Sequence, residues 1–339
     1  MTYLSVCSGI EAVSVAWELL GFRPIGFSEI EPFPCELLKQ KYPNVKNYGD
    51  ITQYEKWNIG QFDILAGGTP CQSFSIAGKR GGTADERGAL MYAYLGIVET
   101  YRPRWVIWEN VPGVLSSNSG YDFASFLAGL EQCGYGWAYR VLDAQYFGVP
   151  QRRRRVFVIG HLDNRTDLAA KVLFEQEKHR TSFEANKDKG QEITGTLTTG
   201  FGGRGFDCDT ILNNQFAVES YTLSSFAQYK DGVGTLKASG GDFGGGSETI
   251  IKERNRMRRL TPLECERLQG FPDNYTQIEW RGKPAEQCPD SLRYKAIGNS
   301  MAVPVMRWIG ERVKRITGEN EMIEINLEKE QEMYFTIKV

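Results

Sequence analysis

The chain has 339 residues, of which 41% are hydrophobic and 24% charged, and its formal net charge is −2. Because single hydrophobic cores stop growing at roughly 250–300 residues, this length predicts one large domain and one small one. No apolar run approaches the roughly 18 residues of a membrane span, and no basic leader precedes an apolar segment, so we expect a cytoplasmic protein without a membrane anchor or signal peptide.

The distribution of cysteine, histidine and basic residues limits the possible chemistry. The seven cysteines are scattered and never form a CxxC pair, which argues against a disulfide framework and a zinc site, so we expect reduced thiols and no metal. The two histidines, His161 and His179, lie in no recognisable motif, which disfavours a Cys-His hydrolase. Basic residues cluster at 151–155 and 252–259, compatible with a basic cleft on a nearly neutral body.

The first thirty residues have the layout of a nucleotide-binding βαβ unit. A strand at 2–7 leads into a turn at Ser8 and Gly9, then a helix at 11–20 and a strand at 24–28 that ends at Glu29. In such a unit the acid about 20 residues after the glycine binds ribose hydroxyls.

Strands and helices continue to alternate over the next hundred residues. The patterns predict strands at 63–66, 105–108 and 155–159, separated by helices such as 89–100 and 123–133. Alternation of this kind predicts a parallel sheet with helices on both faces.

The character of the chain changes after about residue 163. Residues 192–249 are rich in glycine and threonine, which predicts turns and short strands. Helical signals return with Thr261 as a cap and Pro262 at the first helical position, and 303–316 reads as an amphipathic helix that completes the large domain.

The turn after the first strand bears on the class of cofactor. A dinucleotide site needs GxGxxG, whereas here Gly9 stands alone and Glu11 follows it. We expect Glu11 to repel a pyrophosphate and to tolerate a cationic sulfonium, which favours a methyl donor over NAD and disfavours an NAD-dependent oxidoreductase. Taken by itself, the pattern is explained better by a plain αβ turn that needs one glycine.

Nine segments together resemble the cytosine-C5 DNA methyltransferase family, in that family's order and with similar spacing. They run from residue 5 to residue 304 and are SVCSGIEA, GFSEIEP, GDI, GGTPCQSFSIAGKR, RGAL, WENVPG, QRRRRVFVIG, RLTPLECERLQGFP and IGNSMAVP. The resemblance implies an α/β fold, namely a Rossmann-like S-adenosylmethionine-dependent methyltransferase domain with a mostly parallel doubly wound sheet, and a smaller β- and loop-rich target-recognition domain.

The same resemblance implies a division of the chain. The catalytic and cofactor-binding domain covers 1–163 and is completed by 300–316. The target-recognition region covers 164–299, with its variable part at about 164–255 and family motifs at 259–272. A C-terminal tail covers 317–339.

For catalysis, the resemblance implies that the thiolate of Cys71 adds to carbon 6 of cytosine. Glu109 is expected against N3 and the exocyclic amino group, holding a proton, although on spacing alone it could equally be a salt-bridge partner. Arg153 and Arg155 are matched as active-site arginines that share one face of an extended segment, with Arg155 at cytosine O2.

For the cofactor, S-adenosylmethionine, the resemblance places Glu29 on the ribose hydroxyls and Asp50 on the adenine amino group. Three residues depart from the first family motif, Ser5, Cys7 and Glu11, and the loss of an aromatic ring at Cys7 puts some adenine packing in doubt. The implied cofactor-binding residues are Gly9, Ile10, Glu29, Ile30, Asp50, Ile51, Gly68, Pro70, Leu90, Asn299 and Ser300.

The implied partner is double-stranded DNA, from which the target base is flipped out of the stack. The expected substrate and DNA contacts are Gln72, Ser73, Lys79, Arg80, Asn110 and Arg152. A cognate restriction endonuclease is left open as a partner, and the chain is predicted to be monomeric. Two alternatives remain, a tRNA cytosine-C5 methyltransferase and a non-catalytic DNA-binding homologue, and the intact set of Cys71, Glu109 and Arg155 argues against the second.

Overall fold

The computed structural model describes residues 1–69, 89–174, 219–223, 229–231, 249–253 and 256–318. The strands of these residues are β1 (Thr2–Val6), β2 (Arg23–Ser28), β3 (Ile64–Gly67), β4 (Trp105–Asn110), β5 (Tyr135–Asp143), β6 (Arg154–Leu162), β7 (Glu219–Leu223), β8 (Tyr229–Asp231), β9 (Thr249–Glu253) and β10 (Arg256–Arg259). The helices are α1 (Ala12–Trp17), α2 (Pro32–Lys41), α3 (Ala89–Tyr101), α4 (Tyr121–Gln132), α5 (Thr166–Leu173), α6 (Pro262–Gln269), α7 (Asp290–Asn299) and α8 (303–318).

The first six strands form one sheet in the order β2-β1-β3-β4-β6-β5. The four strands from β2 to β4 are parallel, which confirms the mostly parallel sheet. The antiparallel part of the sheet consists of the last two strands, because β6 runs antiparallel to both β4 and β5. The connection 144–153 between β5 and β6 is too short for the crossover helix that a parallel pair needs.

Helices cover both faces of this sheet, as predicted. Alternate residues of each strand enter different cores: Tyr3 and Ile107 belong to one core with side chains of α1, α5 and α8, whereas Leu4 and Val106 belong to the other with side chains of α3 and α4. This alternation follows from the two-residue period of a strand.

Residues 260–299 pack on the same core as β1 and α1. Leu260, Leu268, Phe271 and Ile297 all belong to the core that contains Tyr3. The domain boundaries stay a prediction, and this packing favours joining 260–299 to the catalytic domain instead of to the target-recognition region.

Several local expectations are confirmed and some need correction. Helix α6 has the expected cap at Thr261, completed by a reciprocal hydrogen bond with Glu264, and ends at Gly270. The helix predicted over 11–20 is shorter, since α1 ends at Trp17 and a 3₁₀ turn follows. The strands β7 to β10 form a small antiparallel sheet.

Within the described ranges, no helix is both long and apolar enough to cross a membrane.

Candidate active site

The turn after β1 contains three left-handed residues at alternate positions. Cys7, Gly9 and Glu11 have φ values of 50°, 55° and 63°. Only Gly9 adopts this conformation without steric cost, and a non-glycine residue there costs on the order of 1 kcal/mol. The turn is tied to the end of β2, because the backbone N–H of Ser8 donates to the carbonyl of Ser28 at 3.1 Å.

The side chain of Glu11 turns inward and caps α1. Its Oε1 accepts from the backbone N–H and the hydroxyl of Ser14, both at 3.1 Å, and its Oε2 has no hydrogen-bond partner among the described residues. Glu11 is completely buried, which raises its pKa to about 7. The side chain of Glu11 therefore lies beneath the turn, and the repulsion of a pyrophosphate by its charge stays a prediction.

Glu29 is fixed by backbone hydrogen bonds at the end of β2. Its Oε2 accepts from the N–H of Gly9 at 2.7 Å, and its Oε1 accepts from the N–H groups of Ile30 and Glu31 at 2.8 Å each. These bonds join the acid to the glycine turn that precedes it by about twenty residues.

A cavity opens between this turn, the end of β3, the end of β4 and the residues after α7. Four predicted cofactor residues line it, Gly9, Gly68, Asn299 and Ser300. Its lining contains the Glu109 carboxyl group and, within the described residues, no lysine or arginine, which suits a cationic sulfonium better than a pyrophosphate. Residues that the sequence did not single out as contacts also line it: Ser5, Val6, Cys7, Ser8, Ala12, Val13 and Met301.

The other predicted cofactor residues differ in how exposed their side chains are. Ile30 is 67% exposed, as expected of a side chain available to an adenine ring, and Asp50 is also exposed. The side chains of Ile10 and Ile51 are buried in the two cores, and Leu90 packs on the second core. Ile10 can therefore face the cavity only through its backbone.

The two predicted cofactor acids, Glu29 and Asp50, both affect the pKa of the Cys7 thiol. Burial raises the pKa of the Cys7 thiol to about 12, and the nearby charges of Glu29 and Asp50 add to this effect. Both carboxylates therefore lie close to the cavity wall that Cys7 forms. The missing aromatic ring at this position leaves a protonated thiol in the lining.

The two glycines at the end of β3 are required by close approach. A Cβ atom on Gly67 would lie 2.3 Å from the carbonyl oxygen of Val6. On Gly68 it would lie 2.7 Å from the backbone oxygen and 2.9 Å from the Oε2 atom of Glu109. Gly68 therefore leaves the space that the Glu109 carboxyl group occupies.

Glu109 and Arg155 form an ion pair beside the cavity. The Nε atom of Arg155 lies 3.1 Å from Oε1 of Glu109, and both side chains are mostly buried. Burial raises the pKa of Glu109 above its usual range, while Arg155 and Arg153 oppose the shift. The raised pKa favours the protonated form of Glu109 relative to an exposed carboxyl group.

The four arginines at 152–155 alternate between the surface and the interior, as predicted. Arg152 and Arg154 are exposed, whereas Arg153 is 3% exposed. The Nη2 atom of Arg153 donates to the carbonyls of Gly298 at 3.1 Å and Ser300 at 2.6 Å. Burial lowers the pKa of Arg153 to about 9, so the guanidinium remains protonated at neutral pH.

Asn110 is buried, although the sequence places it among the DNA contacts. Its Nδ2 atom donates to the carbonyl of Thr69 at 3.1 Å, and Trp108 Nε1 donates to the Thr69 hydroxyl at the same distance. Asn110 thus positions Thr69, which stands two residues before Cys71 in the sequence. The predicted site residues that lie outside the described residues are Pro70, Cys71, Gln72, Ser73, Lys79 and Arg80.

Comparison with known proteins gives consistent results at the level of sequence and fold. An "Escherichia phage P1" protein named DNA N-6-adenine-methyltransferase is 36% identical over 93% of this chain, which spans 61% of that protein. The Type II methyltransferase M1.ScrFI of Lactococcus lactis subsp. cremoris is 32% identical over 85% of this chain and 71% of its own length.

Among solved structures, the S. pombe Dnmt2 methyltransferase superposes with a TM-score of 0.61, covering 93% of this chain and 99% of that one. At 17% identity this likeness shows a common fold. The family model for C-5 cytosine-specific DNA methylase matches residues 1–315. The protein therefore belongs to the C-5 cytosine-specific DNA methylase family, as its nine motifs predict.

Proposed function

We propose that the protein methylates carbon 5 of a flipped-out cytosine in a specific double-stranded DNA sequence, through a covalent adduct with Cys71. The observation that carries this proposal is the Glu109–Arg155 pair, which stands at the wall of a cavity lined by Gly9, Gly68 and Ser300. A proton donor and a cofactor cavity are thus neighbours, as methyl transfer to a base requires.

The residues present suit S-adenosylmethionine, which when bound supplies the methyl group. Glu29 holds the glycine turn and keeps its carboxylate available to ribose hydroxyls, since Oε2 accepts from the N–H of Gly9 and a carboxylate oxygen can accept a second hydrogen bond. The exposed side chain of Ile30 offers an apolar surface to an adenine ring, and Asp50 offers an acceptor for its amino group.

In the proposed reaction the protein's groups move two protons and form one transient bond. The Cys71 thiolate adds to carbon 6 while Glu109 donates a proton to N3, and Arg155 binds O2 and stabilises the charge. Carbon 5 then takes the methyl group, a base removes the carbon 5 proton, and the Cys71–carbon 6 bond breaks to release the thiolate. Glu109 recovers its proton from N3.

The phage relative is named as an adenine methyltransferase, and we do not extend that activity to this chain. The chain spans 61% of that protein, so a part of the relative has no counterpart in the match. The likeness to the Dnmt2 methyltransferase is one of fold alone, so it does not bear on the tRNA cytosine alternative. Analysis of the methylated base and of the nucleic acid separates all three possibilities.

The test is transfer of labelled methyl groups from S-adenosylmethionine to duplex DNA, with digestion to nucleosides. We expect 5-methylcytosine from the wild type and none from Cys71→Ser. A matched control is Cys133→Ser, since Cys133 is a free, half-buried cysteine at the end of α4. This control should retain the wild-type rate.

Duplex DNA with 5-fluorocytosine in place of the target cytosine should trap the wild-type protein as a covalent adduct through Cys71. Fluorine replaces the carbon 5 proton, and without loss of that proton the thiolate is not released. The adduct should be absent from Cys71→Ser and present in Cys133→Ser. N6-methyladenine as the product, methylation of tRNA instead of DNA, or binding of cofactor and DNA without product or adduct would each contradict the proposal.

A further inference from the structure

The residues that end α7 are held by two buried side chains from elsewhere in the chain, and a third buried side chain orients one of these two. Gln151 and Arg153 precede β6, and Gln269 is the last residue of α6. Gln151 and Gln269 have no exposed surface, and Arg153 is 3% exposed. We call these three residues the Gln-Arg-Gln clamp.

Two members of the clamp donate to the same carbonyl. Arg153 Nη2 donates to the carbonyl of Ser300 at 2.6 Å, and Gln269 Nε2 donates to it at 3.3 Å. Each also donates to an earlier carbonyl of the same segment, Arg153 to Gly298 at 3.1 Å and Gln269 to Ile297 at 2.9 Å. Three of the four carbonyls of 297–300, those of Ile297, Gly298 and Ser300, therefore accept from buried donors.

Gln151 fixes the orientation of Gln269. Its Nε2 atom donates to the carbonyl of Leu268 at 2.9 Å and to Oε1 of Gln269 at 3.4 Å. Because Oε1 of Gln269 accepts this hydrogen bond, its Nε2 atom faces the carbonyls of 297–300. Loss of any donor leaves a buried carbonyl with one partner fewer, which is costly away from water.

The clamp connects the two halves of the candidate active site. Asn299 and Ser300 line the cavity together with Gly9 and Glu109. Arg153 stands two residues before Arg155, which pairs with Glu109, and its backbone N–H is held by Asp143 at 2.9 Å. One short segment thus carries a contact to the cavity wall and a contact to the acid.

We propose that the Gln-Arg-Gln clamp is a positioning device for the cofactor wall, and that Arg153 acts through Ser300 instead of contacting the target base. This inference rests on the proposed function for the identity of the cofactor. It separates two arginines that the family resemblance groups together: Arg155 pairs with the acid, whereas Arg153 shapes the pocket beside it. Arg153 should therefore govern cofactor affinity more than the rate of the chemical step.

The test measures the dissociation constants of S-adenosylmethionine and S-adenosylhomocysteine by calorimetry in the absence of DNA. Arg153→Met should weaken binding at least tenfold, because it removes the donors while keeping a similar length. Arg153→Lys should recover part of the loss, since an ammonium group still donates. The matched control is Arg154→Met. Arg154 is the exposed neighbour of Arg153 and lies outside the cavity lining, so this variant should bind both ligands as the wild type does.

Kinetics separate positioning from a direct role in chemistry. Arg153→Met should raise KM for S-adenosylmethionine about as much as it raises the dissociation constant, with kcat at saturating cofactor within about threefold of wild type. Gln269→Leu should act in the same direction. The double variant should weaken binding by less than the product of the single effects, because both donors act on the Ser300 carbonyl.

Unchanged cofactor affinity in Arg153→Met together with a large fall in kcat would overturn the proposal, since Arg153 would then act on the base. The outcome is distinct from failure of the proposed function. A wild-type protein that binds cofactor without transferring methyl groups to DNA refutes that function and leaves the affinity comparison valid. Absence of cofactor binding in the wild type refutes both.

Hydrogen exchange of the unmodified protein gives a test that does not require a variant to fold. S-adenosylhomocysteine should slow exchange of the amides of Ser300 and Met301, which line the cavity. It should also slow exchange at Arg153, which is bonded to this segment, and at Gln151, which is bonded to Gln269; neither residue lines the cavity. Protection confined to the lining residues would contradict the clamp.

Discussion

At the end of the cavity near β1 the acidic side chain is held by backbone hydrogen bonds, whereas at the end near β4 it is held by an arginine. Glu29 accepts from three backbone N–H groups, those of Gly9, Ile30 and Glu31. Glu109 instead pairs with Arg155 at 3.1 Å in a largely buried position. One acid is fixed by the fold of the chain, and the other by an opposite charge.

This difference separates binding from chemistry. Hydrogen bonds from a preformed turn hold the Glu29 carboxylate in one place, which suits a group that only has to recognise a cofactor. Burial raises the pKa of Glu109 while Arg155 lowers it, so small changes nearby alter its protonation. Substitutions at the β1 end should therefore change affinity, and substitutions at the β4 end should change the rate of transfer.

The largest effect is expected for Glu109→Gln. The substitution keeps the size of the side chain and removes the group that holds the proton, so single-turnover methyl transfer should fall by about 10²–10⁴-fold. The dissociation constant for S-adenosylmethionine should change little. Glu99→Gln removes an exposed acid from α3 and serves as the control. A rate within a few-fold of the control would end the distinction between the two acids.

The pH dependence of methyl transfer gives a second test of the role of Glu109. Glu109 donates in its protonated form, so activity is lost as pH rises through its raised pKa. Arg155 opposes the rise in the pKa of Glu109, and Arg155→Met should therefore move the alkaline limb of the rate profile to higher pH. Arg154→Met should leave the limb in place. Movement to lower pH on loss of Arg155 would contradict this assignment.

At the other end, Glu29→Ala should weaken cofactor binding by about 10–100-fold, since hydrogen bonds to a charged group contribute about 1.5–3 kcal/mol. The turn loses the acceptor for the Gly9 N–H and the ribose loses its acid. At saturating cofactor, kcat should stay within a few-fold of wild type. Glu55→Ala, which removes an exposed acid from the 3₁₀ turn at Ile51–Lys56, is the control. A fall in kcat at unchanged affinity would reverse the roles of the two acids.

The parts of the site that follow from local pattern were predictable from the sequence. The strand, glycine turn and acid at Gly9 and Glu29 recur within one βαβ unit, so their proximity is set by neighbouring residues. The opposite orientations of Arg153 and Arg154 follow from the two-residue period of an extended chain. These features need no knowledge of distant segments.

The parts that depend on distant or competing contacts were not predictable. Strand β5 lies at the edge of the sheet and carries exposed Tyr139 and Arg140, so its pattern lacks the buried run of β4. The contact of Arg153 with Ser300 joins residues 147 positions apart. The burial of Glu11 depends on a left-handed backbone that single-sequence patterns assign to glycine.

The smallest expected effect concerns Glu11, which lies under the turn at the β1 end. Its pKa is about 7 in the folded protein against an ordinary value of 4.5, so between these pH values the folded state binds a proton that the unfolded chain does not. Stability contributed by this group therefore falls as pH rises through that window and levels off above it. Between pH 6 and pH 8 the loss should be about 1 kcal/mol. Glu11→Gln keeps the acceptor for Ser14 and has no proton to lose.

Urea unfolding of the wild type and of Glu11→Gln at pH 6 and pH 8 measures this contribution. The difference between the two proteins in the change of unfolding free energy isolates Glu11, because the other titrating groups are the same in both. Wild type should lose about 1 kcal/mol more than Glu11→Gln over this range. Glu18→Gln replaces an exposed acid in the next turn of the same segment and should behave as wild type. Equal losses in all three proteins would mean that Glu11 is ionised throughout, and that its buried carboxylate is stabilised by the turn as strongly as Glu29 is.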